Sequence, residues 1–156
     1  MLLCVTAGVA ISGGCGSKPA LTLRTDPEPL ARRLHLPSDV EFVRWIAVSP
    51  VHDTGWIPPK AEFYDVYAYI QLGPQGWMEL QSSPGLTGLR ATLALPKDLA
   101  ARLIPADARS YWEPTSDGLR ATGPAFDGAR LAADPGTTVE IAIRVEMALL
   151  IRMRVE

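Results

Sequence analysis

The chain has 156 residues, 47% of them hydrophobic, and its 15 basic and 17 acidic side chains give a formal net charge of −2. This length suits one domain with a substantial core and is short for two. The charges are spread along the chain without a basic run, which excludes the phosphate-neutralising surface of a nucleic-acid-binding protein. No nucleic-acid partner is therefore expected.

The N-terminal segment is apolar and leads through small residues to a cysteine. Residues 2–11 have the length of the hydrophobic region of a secretory signal and fall well short of the roughly 20 residues that cross a bilayer. Residues 12–14 are Ser-Gly-Gly, and Cys15 follows them. The segment resembles the signal of a bacterial lipoprotein, which implies cleavage before Cys15 and acylation of that cysteine.

The resemblance also implies a location. Several acyl chains give lasting membrane attachment, because each buried methylene contributes about 0.8 kcal/mol. Gly16 stands where an aspartate tends to retain such proteins at the inner membrane, so the outer membrane facing the periplasm is expected. The alternative is a cytoplasmic protein whose first segment packs in its own core.

These observations divide the chain into three parts. Residues 1–14 are the expected signal peptide, residues 15–25 the lipid-attachment site and tether, and residues 26–156 a single globular domain. Of the two cysteines, Cys4 would leave with the signal and Cys15 would be acylated. The mature domain then has no free thiol, which excludes a disulfide or a cysteine-based metal site.

The first half of the domain contains two expected strands. A short helix is predicted over about residues 27–35, because a capping aspartate precedes a proline and leucines recur at i, i+4. Residues 40–48 and 62–72 are rich in β-branched and aromatic residues, which favours strands. The even-numbered face of the second strand is the expected core face. Residues 49–60 contain three prolines and predict an irregular loop.

The second half ends in the clearest pattern of the chain. A helical turn is predicted near residues 75–80, a strand over 89–95, a helix over 97–104 and edge strands near 110–113 and 118–121. From Val139 to Val155 every odd position is apolar. This alternation predicts one long strand, or two strands joined by a bulge near residues 148–150, with one face in the core and one in water.

Strands and helices do not alternate as they do in βαβ units. We therefore expect an α+β fold consisting of a single domain with a mainly antiparallel sheet. Two or three short helices would pack on one face, and a long strand would end the chain.

No set of residues points to catalysis. His35 lies between leucines and is interpreted as structural. His52 and Asp53 lie in the proline-bounded loop, where function tends to concentrate, but adjacent side chains on an extended chain point apart. No nucleophile, metal-ligand or phosphate-binding motif accompanies them. No catalytic residue, metal or cofactor is predicted.

Aromatic side chains offer a hint of binding. Trp56 in the loop, with Tyr67 and Tyr69 on the odd-numbered face of the second strand, would form an exposed patch suited to a protein interface. The alternative is that other elements cover Tyr67 and Tyr69. We include His52 and Asp53 with these three aromatics as the candidate partner-binding residues.

The sequence thus predicts a lipid-anchored envelope protein of non-enzymatic, protein-binding function, for example an immunity or inhibitor protein or an assembly factor. The alternative is a small periplasmic hydrolase or ligand-binding protein that uses the loop from His52 to Trp56.

Overall fold

The structure is a computed structural model, and it describes residues 21–49, 63–82 and 85–156. The expected signal segment and most of the expected loop lie outside these residues. The described elements are β1 (Val40–Val48), β2 (Tyr64–Leu72), β3 (Leu86–Pro96), β4 (Glu113–Pro114), β5 (Gly118–Phe126), β6 (Thr137–Val145), β7 (Ala148–Val155), α1 (Glu28–Ala31), α2 (Pro74–Ser82), α3 (Lys97–Leu103), α4 (Gly128–Leu131) and a 3-10 helix (Asp107–Tyr111).

The strands form one antiparallel sheet, which confirms the predicted α+β class. Its order is β1-β2-β7-β6-β5-β3, and β4 pairs with β5. β1 and β2 match the predicted strands closely because both are dense in β-branched and aromatic residues. No described helix is long and apolar enough to span a membrane.

Two hydrophobic clusters lie on opposite faces of the sheet. The first cluster takes the even-numbered side chains of β2, such as Ile70, together with apolar residues of α1, α2 and α4. The second cluster contains Tyr69 from the odd-numbered face of β2 and residues of β3, β5 and α3. Helices were expected on one face; α1, α2 and α4 do share a face, whereas α3 lies on the other. Together with α3, β3 and β5 supply apolar residues to the second cluster on that face of the sheet.

The C-terminal alternation proves to be a hairpin of two strands. β6 and β7 are joined by Glu146 and Met147, and Val145 pairs with Ala148. Partners across an antiparallel pair share a face, so the odd positions of β6 lie on the same face as the even positions of β7. The prediction that one face of this segment lies in water is wrong near the turn, where Ile143 and Leu150 belong to the second cluster and Leu149 to the first. Farther from the turn the second face carries the exposed Arg154.

A bulge changes the register once more. The pairing of β6 with β7 shifts between Val139 and Ile141, so Val139 opposes Met153 and returns to the first cluster. Glu140 is the extra residue of this bulge and has no opposing residue on β7. Residues 148–150, where a bulge was expected, begin β7; the turn precedes them at Glu146 and Met147, and the bulge lies in β6.

Other elements differ from expectation in length. α1 ends at Ala31, because the chain turns and the backbone N–H of His35 donates to the carbonyl of Leu131 (2.8 Å). β5 is not a short edge strand but a nine-residue strand that pairs with β3, β4 and β6. The first half of the expected strand at residues 110–113 belongs to the 3-10 helix; Trp112 is extended, and Glu113 begins the short strand β4.

Part of the expected tether packs on the domain. The backbone of Arg24 exchanges two hydrogen bonds of 2.9 Å with Trp45 on the edge strand β1. The Arg24 guanidinium lies 4.9 Å from the centroid of the Trp45 ring. Leu21 and Leu23 pack against the second cluster. The folded part of the chain therefore begins by residue 21.

Acid stability is expected to depend on Asp134, which joins Arg33, just after α1, to Thr137 at the start of β6. Its carboxylate accepts hydrogen bonds from the Thr137 hydroxyl (2.7 Å), the Gly136 N–H (2.8 Å) and Arg33 (3.0 Å). These partners, Thr137 first, hold the pKa of Asp134 below its ordinary value of 3.8. Because the folded pKa is the lower one, this contribution is present above pH 3.8 and is lost as the pH falls through the folded pKa.

An Asp134→Asn variant is thus expected to be less stable than the parent at neutral pH and to approach it in acid. Urea unfolding at several pH values measures this difference. An unfolding free-energy gap that stays constant down to the lowest accessible pH would contradict it.

Candidate functional site

Several candidate residues from the sequence fall outside the described part of the chain. These are the lipid-attachment residue Cys15 and the loop residues His52, Asp53 and Trp56. Their roles stay predictions.

Tyr69 is covered rather than displayed. Its side chain is only 5% exposed and belongs to the second cluster, and the ring of Phe42 stacks on it with centroids 5.9 Å apart. Its hydroxyl donates to Oε1 of Gln71 at 3.0 Å. Tyr69 therefore does not belong to an exposed patch with Tyr67. A partner would reach Tyr69 only through a cavity beside the β6–β7 turn, which Tyr69 lines.

Tyr67 lies beside a ladder of paired charges. The Arg152 guanidinium is 5.7 Å from the centroid of its ring. Arg152 and Arg154 each bridge Asp65 and Glu140, with N···O distances of 3.0–3.6 Å. Partial burial raises the pKa of Tyr67 above 10.0, although Arg152 acts in the opposite direction. Every charge in the ladder has an oppositely charged partner. The charges beside Tyr67 therefore stabilise the fold and do not indicate a catalytic role.

A cavity of about 350 Å³ opens at the end of the sheet where the β6–β7 turn lies. We call it the end cavity. β2 supplies Tyr69 and Gln71 near its C-terminal end, and the adjacent hairpin supplies Glu146. These come together because Gln71 pairs with Ala148, the first residue of β7 after the turn. The 3-10 helix closes the other side with Asp107 and Tyr111, and Trp112 follows it.

The end cavity combines aromatic walls with carboxylates. Tyr111 is 54% exposed, while Tyr69 and Trp112 are buried behind it. Asp107 and Glu146 are both exposed, and neither carboxylate forms an ion pair with any described side chain. Among the described residues that line the cavity, these two carboxylates are the only charged groups.

The Tyr69 hydroxyl is held in its protonated form. Burial is the main cause that raises the pKa of Tyr69 above 10.0, and the negative charge of Asp107 adds to it, while Arg44 lowers it. At neutral pH the hydroxyl is thus a neutral hydrogen-bond donor beside the cavity, and it is unsuited to act as a base.

Glu146 occupies an unusual backbone conformation for its residue type. Its φ is 51°, in the left-handed region that glycine and asparagine adopt more readily. Glutamate is therefore not the residue that the turn itself favours. We expect Glu146→Asn to raise the free energy of unfolding by about 0.5 kcal/mol, because it relieves this strain.

Urea unfolding of the Glu146→Asn variant tests this expectation. A variant that is less stable than the parent would mean that the carboxylate contributes to the fold. A variant that is more stable would leave the carboxylate with a role outside folding.

A second cavity of about 380 Å³ adjoins the first across Tyr111 and Glu146. It is lined in part by Arg90 and by Arg144, whose Nε donates to the backbone carbonyl of Glu146 at 2.8 Å. Arg90 donates to the carbonyl of Thr122 (3.2 Å), and the Arg144 guanidinium lies 4.4 Å from the centroid of the Trp77 ring. The acidic end cavity thus opens onto a more basic groove.

Sequence reasoning identified Tyr69 but missed Gln71, Asp107, Tyr111 and Glu146. The available signal was the break in alternation at residues 148–150, which marks the nearby turn. No glycine or asparagine accompanies that turn, so the usual hairpin signal was missing.

Within residues 21–49, 63–82 and 85–156, no group of three or more His, Cys, Asp or Glu side chains is placed to hold a metal ion. Comparison with known proteins gives no match: no family model, no curated protein and no solved structure is similar to this chain.

Proposed function

We propose that this chain is a lipid-anchored protein of the bacterial cell envelope whose domain binds a protein partner, without catalysis, through the end cavity. The observation that carries the binding role is the end cavity itself. There an exposed tyrosine and a carboxylate of the 3-10 helix, Tyr111 and Asp107, converge with the carboxylate of Glu146 from the β6–β7 turn, and neither carboxylate has an ion-pair partner in the described chain. Such groups add little to the stability of the fold and are available to another molecule.

The location rests on the N-terminal sequence. Cys15 is the proposed site of acylation, and the outer membrane facing the periplasm is the proposed address. Because Leu21 already packs on the domain, the chain between Cys15 and Leu21 spans at most about 20 Å when fully extended. An anchored domain would thus stay close to the bilayer and meet partners at the membrane surface.

Metabolic labelling with a palmitate analogue tests the anchor. The wild-type chain is expected to take up label and to fractionate with membranes, and the Cys15→Ala variant is expected to do neither. Label that persists in Cys15→Ala would overturn the lipid-anchor proposal.

Affinity capture from solubilised membranes tests the binding role. Tyr111→Ala is expected to lose a partner that the wild type retains. The matched control is Met78→Ala, which also truncates an exposed side chain (63%) but lies on α2, outside the end cavity. Equal loss in both variants, or in neither, would contradict a binding role for the cavity.

Ligand binding is a second candidate function. The volume of the end cavity, about 350 Å³, lies at the lower end of the range typical of small-molecule sites, and Gln71, Asp107 and Glu146 supply converging polar groups. The loop from His52 to Trp56, which the sequence suggested for this role, lies outside the described residues. Loss of a small-molecule ligand on His52→Ala would favour this alternative.

A further inference from the structure

We infer that the end cavity receives a lysine or arginine side chain of the protein partner, an inference that rests on the proposed partner-binding function. The first argument is charge. Asp107 and Glu146 line the cavity, and none of the basic side chains in the described part of the chain does. A cation entering it therefore meets two negative charges with no competing positive charge in the lining.

The two carboxylates of the end cavity have no basic partner within 4 Å among the described side chains. Other exposed acids, such as Asp98, share this property, but they do not line the cavity. The basic side chains near the cavity have other contacts. Arg44 donates to the carbonyl of Arg102 at 2.6 Å. Arg144 lies over the Trp77 ring and donates from Nε to the backbone carbonyl of Glu146 at 2.8 Å, not to its carboxylate. The fold thus supplies no described counter-ion for Asp107 or Glu146.

The aromatic walls are a second, separate argument. Tyr69, Tyr111 and Trp112 line the same cavity; the Tyr111 side chain is exposed, whereas Tyr69 and Trp112 are almost completely buried and contribute apolar wall. Aromatic faces attract ammonium and guanidinium groups, and apolar walls accept the methylene stem of a long basic side chain. Val145 and Met147 add further apolar lining. A lysine or arginine side chain fits both parts, whereas an acidic side chain would face like charges.

Saturation-transfer NMR on the processed full chain in detergent tests the inference with defined probes. Nα-acetyl-lysine methylamide is expected to bind. The norleucine analogue, which lacks the ammonium group, is expected to bind about fivefold more weakly, and the glutamate analogue not at all. Glu146→Gln and Asp107→Asn should each weaken lysine binding about threefold. Asp98→Asn, an exposed acid outside the cavity lining, should leave binding unchanged.

The outcomes separate this inference from the proposed function. Equal binding of the lysine and norleucine probes would overturn the inference, because the cavity would then select for apolar shape alone. No lysine binding, with capture still dependent on Tyr111, would overturn it and leave the partner-binding role standing. Loss of both lysine binding and Tyr111-dependent capture would overturn the inference and the proposed partner-binding function. Tight binding of the free probe without any captured protein would point to a small amine ligand and would also overturn it.

Discussion

Alanine in place of Leu150 is expected to lower the free energy of unfolding by about 3 kcal/mol. Leu150 is fully buried in the second cluster, and β7 is paired on both sides, with Tyr69 of β2 and Ile143 of β6 as its neighbours. Little of the structure around a central strand can collapse into the space that the side chain leaves. The cost therefore includes a residual cavity as well as lost burial.

The neighbouring residue supplies the matched control. Leu149 is also fully buried but lies in the first cluster on the opposite face. Urea unfolding should show similar losses for Leu149→Ala and Leu150→Ala, with unchanged dependence on denaturant. A large loss for Leu149→Ala with almost none for Leu150→Ala would mean that one face of the hairpin is in water, as the bare alternation predicts.

Gly123→Ala is expected to cost about 3 kcal/mol as well, for a different reason. A Cβ at residue 123 would lie 1.9 Å from the backbone oxygen of Arg144, where β5 passes close to β6. No flexible side chain can move aside there, so the strands themselves must separate. Glycine at such a bend lets two backbones approach.

Gly88→Ala distinguishes close approach from backbone strain. Gly88 has a φ of +73°, but nothing lies within 4 Å of its ideal Cβ. Its replacement is therefore expected to cost only about 1 kcal/mol, from the left-handed conformation alone. Unfolding free energies of the two variants make the comparison. A smaller loss for Gly123→Ala than for Gly88→Ala would contradict the close approach of the β5 and β6 backbones at Gly123.

The fold class was predictable because strand-forming residues dominate β1, β2 and the C-terminal segment. The turn at Glu146 was not, because a two-residue turn preserves the alternation of apolar residues while it moves them to the other face. The length of β5 was missed because Gly123 and Pro124 suggest a turn, whereas they lie where the strand, still paired with β3, also meets β6 through Ala125.

The candidate site was predictable only at Tyr69. Asp107 and Glu146 are separated by 38 intervening residues and look like ordinary turn acids in the sequence. They come to one cavity only because the 3-10 helix covers the second face beside the β6–β7 turn. Local pattern contains no information on that long-range placement, which depends on the pairing of β2 with β7.

The proposed role also explains why a glutamate lies at a strained turn position. Asparagine would suit the left-handed φ of residue 146 better, yet it would remove one of the two carboxylates in the end cavity. Residues that bind are often not those that stabilise most. The expected pattern for Glu146→Asn is thus a chain that is slightly more stable and binds its partner less well.

Site-specific photo-crosslinking in living cells tests the partner-binding claim most directly. A benzoylphenylalanine placed at Tyr111 lies at the mouth of the end cavity, and one placed at Met78 is the exposed control on α2. We predict one reproducible protein crosslink from position 111, reduced by Glu146→Asn, and none from position 78. The absence of any crosslink at position 111, or the same products from both positions, would contradict the proposal.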